Sequence, residues 1–249
     1  MNSIKIEICA NSVDSAIQAE IGGADRIELC DNISVGGTTP SIGMIKSAIK
    51  YLHIPINVLV RPRGGDFYYS SIEFETMIKD ITEIKKLKVN GIVIGVLTAE
   101  GNVDIMRCIK LLELARPLEV TFHRAFDRTQ NPHKALEDIT NLGFNRILTS
   151  GLQPSALLGK SLIYELVAEA KNKIIIMPGA GINENNIAEI YNSTKAKEFH
   201  MSLRNFLDGK MVYRTNKINL SSSDDSSEFG TLITVAERVK RVKEILTAL

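Results

Sequence analysis

Short strand-like runs, several of them with apolar and polar residues alternating, recur along the chain, separated by longer stretches whose apolar residues fall three and four apart. The strand-like runs are Ile4–Cys9, Asp25–Cys30, Pro55–Arg61, Gly91–Gly95, Leu118–His123, Asn145–Ser150, Lys173–Met177 and Lys197–Ser202, and each predicts a strand. Helical spacing fills Ser12–Ile21, Ile72–Leu87, Asp104–Leu114, Pro132–Leu142 and Leu162–Ala170. Ser12, Ser70, Asn131 and Asn183 suit helix N-caps, and Pro132 suits a first helical position. Gly22–Gly23, Gly91 and Gly143 follow helical stretches, where a left-handed residue is wanted.

Eight β-then-α units predict parallel strands joined by crossovers. Eight is also the number at which such a sheet closes on itself, so the expected fold is an α/β one: a (β/α)8 TIM barrel forming a single domain over 1–249. A doubly wound open sheet is the alternative, but its buried strands read as continuous apolar runs, and several strands here do not. The last unit departs from the pattern. Residues 203–230 have little periodicity and include the run Ser221–Ser227; they are expected to form an irregular, solvated loop before a helix over Thr231–Leu246, with a lid over the barrel mouth as the sharper alternative.

Strand parity says which side chains share a face. Ile4, Ile6 and Ile8 oppose Lys5, Glu7 and Cys9; Ile27 and Leu29 oppose Arg26, Glu28 and Cys30. Ile56, Val58 and Val60 oppose Asn57, Leu59 and Arg61; Val120 and Phe122 oppose Glu119, Thr121 and His123; Phe199 and Met201 oppose Glu198, His200 and Ser202. The apolar set must lie under the helices, so the polar set points into the barrel. Inward charges cannot stay unpaired, because burying an isolated charge costs far more than a hydrogen bond returns. An internal ion-pair network is therefore expected, with Lys5, Arg26, Glu119 and Glu198 toward the bottom. At the C-terminal ends of the strands, where barrels of this type carry their functional groups, the same parity gathers Glu7, Cys9, Glu28, Cys30, Arg61, Arg63, Asp66, His123, Arg124, Asp127, Ser150, His200 and Ser202.

Composition narrows the partners. With 249 residues, 44% hydrophobic and 24% charged, the chain has the make-up of a soluble globular domain. A formal net charge of +1 and the lack of a basic run argue against nucleic acid. No apolar stretch approaches the roughly 20 residues of a membrane span, and Met1–Ala10 does not read as a signal peptide. Three scattered cysteines, Cys9, Cys30 and Cys108, do not make a disulfide framework; free thiols suggest a reducing cytoplasm.

Several motifs are distinctive: Glu7-Ile8-Cys9, the run Gly23–Cys30, Gly36-Gly37-Thr38-Thr39-Pro40-Ser41, Arg61-Pro62-Arg63-Gly64-Gly65-Asp66-Phe67, Thr121-Phe122-His123-Arg124-Ala125-Phe126-Asp127, Arg146–Gly151 and Met177-Pro178-Gly179-Ala180-Gly181. From Ile4 to about Ser202 these resemble the CutC family. The resemblance implies a barrel fold, a cytoplasmic location, a role in copper homeostasis, and Cys9 and Cys30 as copper ligands; it also leaves room for a homo-oligomer. One departure is Leu203, where that family tends to have a small residue.

The residues themselves leave two functions open. Cys9 and Cys30 should end neighbouring strands about 4.8 Å apart; paired thiolates suit Cu(I), with linear two-sulfur ligation chemically reasonable, although free cysteines are also common buried hydrophobes. Alternatively, the mouth serves an enzyme acting on a small anionic or phosphorylated metabolite as a lyase, isomerase or hydrolase. Glu7, Glu28, His123, Arg61 and Asp66 would then be catalytic. Arg63, Arg124, Ser150, Gly179, Gly181, His200 and Ser202 would hold the anion through guanidinium forks and a close-approaching backbone.

Overall fold

The structure, a computed structural model, describes residues 4–215, 218 and 229–249. Eight strands appear where the strand-like runs predict them: β1 (Lys5–Ala10), β2 (Arg26–Leu29), β3 (Ile56–Leu59), β4 (Gly91–Ile94), β5 (Glu119–Phe122), β6 (Arg146–Thr149), β7 (Ile175–Pro178) and β8 (Glu198–Met201). They form one sheet in the order β7-β6-β5-β4-β3-β2-β1-β8, every ladder parallel. β7 and β8 lie against each other without a ladder, so the sheet is a nearly closed (β/α)8 barrel.

Helices follow the first seven strands and cover it: α1 (Val13–Ile21), α2 (Ile42–Tyr51), α3 (Ser71–Lys86), α4 (Ile105–Ala115), α5 (Pro132–Leu142), α6 (Lys160–Ala170) and α7 (Ile187–Thr194). Local chemistry sets their ends. Ser70 and Glu73 form a reciprocal capping box at the start of α3. Asn131 caps α5 with Pro132 in its first turn, and Gly143 ends that helix at φ 87°. Two expected signals work differently. Gly91 lies inside β4, and Lys88, at φ 60°, is the left-handed residue after α3; glycine is needed at 91 because a Cβ would sit 2.4 Å from Asn57 Oδ1. Asn186 rather than Asn183 precedes α7, and the Asn183 side chain accepts from the N–H of Asn185 instead.

Ile6, Ile8, Ile27, Leu29, Val58, Ile92, Val120, Phe122 and Phe199 pack outward into the layer between sheet and helices. At roughly 1.5–3 kcal/mol for each fully buried large apolar side chain, this layer is the main stabilising term. The opposite parity fills the barrel: Glu7, Arg26, Glu28, Asn57, Thr121, Arg146, Glu198 and His200 are all buried. Lys5 and Glu119 are corrections. Each begins its strand at the open bottom of the barrel and is exposed.

The last unit also corrects the expectation of an irregular 203–230. Arg204–Asp208 (β9) pairs antiparallel with Gly230–Thr234 (β10), Leu207 opposite Thr231 and Phe206 opposite Leu232. The final helix, α8, runs Ala236–Thr247 and starts later than expected because Thr231–Thr234 is strand. Extended pairing suits this stretch because Thr231, Ile233 and Thr234 are β-branched and favour strand. The Ser221–Ser227 run lies outside the described residues.

Candidate functional site

Register builds the barrel interior. Glu7 on β1 stands opposite both Arg26 on β2 and His200 on β8. Arg26 Nε donates to Glu7 Oε2 at 2.5 Å and its Nη2 donates to Glu198 Oε2 at 2.7 Å. Arg146 donates to Glu198 at 3.2 Å and to Glu119 at 2.8 Å. The expected internal network is thus present, and it sits directly beneath the mouth. Burial opposes the Glu7 charge, but Arg26 and His200 outweigh it and hold the carboxyl well below the usual range. Glu7 is therefore an acceptor, and His200 Nδ1–H donates to its Oε1 at 2.8 Å.

One layer higher, Cys9 stands opposite Glu28 in the β1–β2 ladder. The Cys9 and Cys30 sulfurs are 3.5 Å apart, with Leu59, Val93 and Ile33 packed around them. His200 Nε2 reaches to 4.0 Å from Glu28 Oε1. One ligand-capable atom each from Cys9, Glu28 and His200 lies within 4.8 Å of the others. One thiol, a carboxylate and an imidazole therefore meet at one wall of the mouth, with the Cys30 thiol buried against Cys9. The hydrogen bond shared with Cys30, and then burial, push the Cys9 thiol up. Burial pushes Glu28 up to about 7 against the pull of His200. The His200 ring is desolvated, yet Glu28 and Glu7 raise its pKa. Glu28 Oε2 is buried with no partner.

These groups open on a cavity of about 320 Å³ also lined by Gly36, Arg61, Phe67, His123, Arg124, Leu148, Gly181, Ser202 and Arg204. Arg61 is only 4% exposed. It donates to the carbonyls of Val35, Gly37 and Gly65 at 2.7–2.9 Å, tying the loops after β2 and β3 to the rim, and its guanidinium stacks on Phe67. His123 accepts from the N–H of Ala125 through Nδ1. Burial, with Arg61 adding, pushes it down to about 3. It is a neutral ring whose proton sits on Nε2.

Of the residues expected at the mouth, Cys9, Glu28, Arg61, His123, Arg124, Gly181, His200 and Ser202 line this cavity, and Cys30 touches Cys9. Glu7 lies just below, reaching it through His200. Ser150 stands behind Arg124, accepting from its Nη2 and donating to Asp127. Gly179 lets the β7 turn press against Leu148 and His200; a Cβ would sit 2.5 Å from Leu148 Cδ1. Arg63 and Asp66 are not brought in. Arg63 is held by Glu73 at the start of α3 and by Asp66, and the Asp66 side chain is 74% exposed. The capping box fixes Glu73, and Glu73 draws Arg63 outward. Cys108 is packed under α4.

Arg204 was missed. It opens β9 and continues the parity of Glu198, His200 and Ser202, so extending the alternation one more step is the signal that finds it. Leu203, just before it, sits at φ 47° with its side chain buried. A left-handed turn suits a small residue there, which gives the departure at this position its physical meaning.

A nearly closed parallel barrel with a thiol pair beside a carboxylate and an imidazole at its C-terminal mouth defines a (β/α)8 barrel protein with a polar, thiol-bearing mouth. The CutC family profile matches residues 4–205. A CutC family protein of Parabacteroides distasonis is 52% identical over 236 residues, 94% of this chain and 97% of the relative. The human copper homeostasis protein cutC homolog is 44% identical over 244 residues, 98% of this chain and 89% of the relative. A CutC crystal structure from Streptococcus agalactiae superposes with a TM-score of 0.77 at 36% identity, covering 80% of this chain and 98% of that one. The chain belongs to the CutC family. Among the described residues no helix is long and apolar enough to cross a membrane.

Proposed function

We propose that this protein serves copper homeostasis in the cytoplasm by holding Cu(I) as cargo between the Cys9 and Cys30 thiolates, with His200 at hand as a third ligand. The observation that carries this reading is the 3.5 Å separation of the two sulfurs. Soft thiolates select Cu(I) over harder ions, and the human relative is named for copper homeostasis. The spacing also refines the coordination expected from sequence. With metal–sulfur bonds of about 2.3 Å, a linear site needs sulfurs about 4.6 Å apart. Thiols at 3.5 Å suit a bent site with room for another donor, and the imidazole is the softer of the two neighbours. Binding must expel thiol protons, and Glu28 beside Cys9 is placed to accept one.

Anaerobic titration of the reduced protein with Cu(I) against a competing chelator tests the reading. The Cys9→Ser/Cys30→Ser variant should lose at least about a hundredfold in affinity, equivalent to about 2.8 kcal/mol, and His200→Ala should lose less. Equal affinity in wild type and double variant overturns it.

A further inference from the structure

We propose that the barrel mouth carries a second binding site, separate from the thiol pair, for a small molecule bearing an oxyanion, a phosphate or a carboxylate, held by Arg61, Arg204 and His123. Two facts support it. Arg61 and His123 are 4% and 5% exposed and line the cavity, yet among the described residues Arg61 Nε and His123 Nε2 have no hydrogen-bond partner. Nε and Nη1 of Arg204, on the same cavity, are buried and equally unpartnered. Leaving buried donors unmade is costly, and four of them around one cavity are best explained by an acceptor that arrives with a ligand.

Charge points the same way. Arg124 at the rim is matched by Asp127 at 2.7 Å, and Arg26 and Arg146 by the glutamates below. Among the described residues, no carboxylate lies within ion-pair distance of Arg61 or Arg204. Among the described residues Arg61 meets backbone carbonyls and the Tyr69 hydroxyl, neutral groups that leave its charge uncompensated. Among the described residues Glu28 is the one carboxylate on the cavity wall, and it leans toward His200 and Cys9. The remaining face is cationic, with the His123 Nε2–H as a neutral donor beside it, an arrangement suited to oxygen acceptors. A cavity of about 320 Å³ fits a small metabolite and excludes a polymer.

The test is isothermal titration of the metal-free, reduced protein with inorganic phosphate and, separately, with malonate. It involves no copper, so its outcome is independent of the thiol reading. The wild type should bind at least one probe at millimolar concentration or below; tighter phosphate binding marks a phosphorylated ligand, tighter malonate binding a carboxylate. Arg204→Gln should weaken that binding by about tenfold or more, as expected for loss of a charge-assisted contact. Arg61→Lys should also weaken it, but it loosens three loop carbonyls; Arg204→Gln, whose side chain anchors no loop, is therefore decisive, with circular dichroism confirming its fold. No binding of either probe by the wild type, or equal binding by Arg204→Gln, overturns the proposal.

Discussion

Replacing Arg26 with methionine should expose how the charged barrel interior is held together. The Arg26 side chain is 7% exposed and bonds Glu7 and Glu198. Methionine keeps much of the stem volume, so the main loss is the charge. Glu198 keeps Arg146 at 3.2 Å. Glu7, its side chain fully buried, keeps only His200 at 2.8 Å and a long contact from Asn57 at 3.5 Å. Breaking a buried pair from one side costs about 3–5 kcal/mol; with a urea slope of about 3 kcal/mol per molar, the unfolding midpoint should fall by about 1 M or more. The pH dependence has a definite sign. Arg26 helps hold the wild-type Glu7 carboxyl below its ordinary value of 4.5. Its ionised form therefore contributes stability above pH 4.5 that is lost as the pH falls further. Without Arg26, burial governs Glu7 more strongly and raises its pKa, so protonation relieves the variant on acidification. The gap between wild type and Arg26→Met, followed by circular dichroism in urea, should be widest near about pH 8 and narrow toward about pH 4.5. A gap below about 1 kcal/mol, or one that widens on acidification, would refute the buried-network account.

Glu28 offers a second titration. Its carboxyl is raised from 4.5 to about 7, so the stability it contributes is full below 4.5 and lost as the pH rises through about 7, a loss on the order of 3 kcal/mol. Glu28→Gln should flatten that slope, and its infrared difference spectrum should lose a carbonyl band titrating near neutrality; a band titrating in the ordinary carboxylate range counts against the assignment. Gly95→Ala would place a Cβ 2.5 Å from the His123 ring, so it should cost about 1–3 kcal/mol and shift the His123 ring resonances, and an unshifted ring speaks against the packing described. The copper and oxyanion titrations above complete the set.

Alternation of side chains is a local property with a period of two, and it survives in the bare sequence. That is why Glu7, Glu28, His123 and His200 could be assigned to the barrel interior; short β-like runs between helical stretches made the eight strands legible to within a residue or two. The distinctive runs around Arg61 and His123 were equally visible because each is continuous in the chain. Which charge pairs with which depends on register between strands far apart in sequence, as with Glu7 and His200, separated by 193 positions. Only the closed sheet decides that Cys9 and Cys30 touch, that Arg26 bridges two glutamates, and that Arg63 turns outward to Glu73. The β9–β10 pairing, which brings Arg204 to the rim, was hidden because its two strands are separated by a stretch without periodicity. Side-chain direction belongs to the strand, whereas partnership belongs to the barrel.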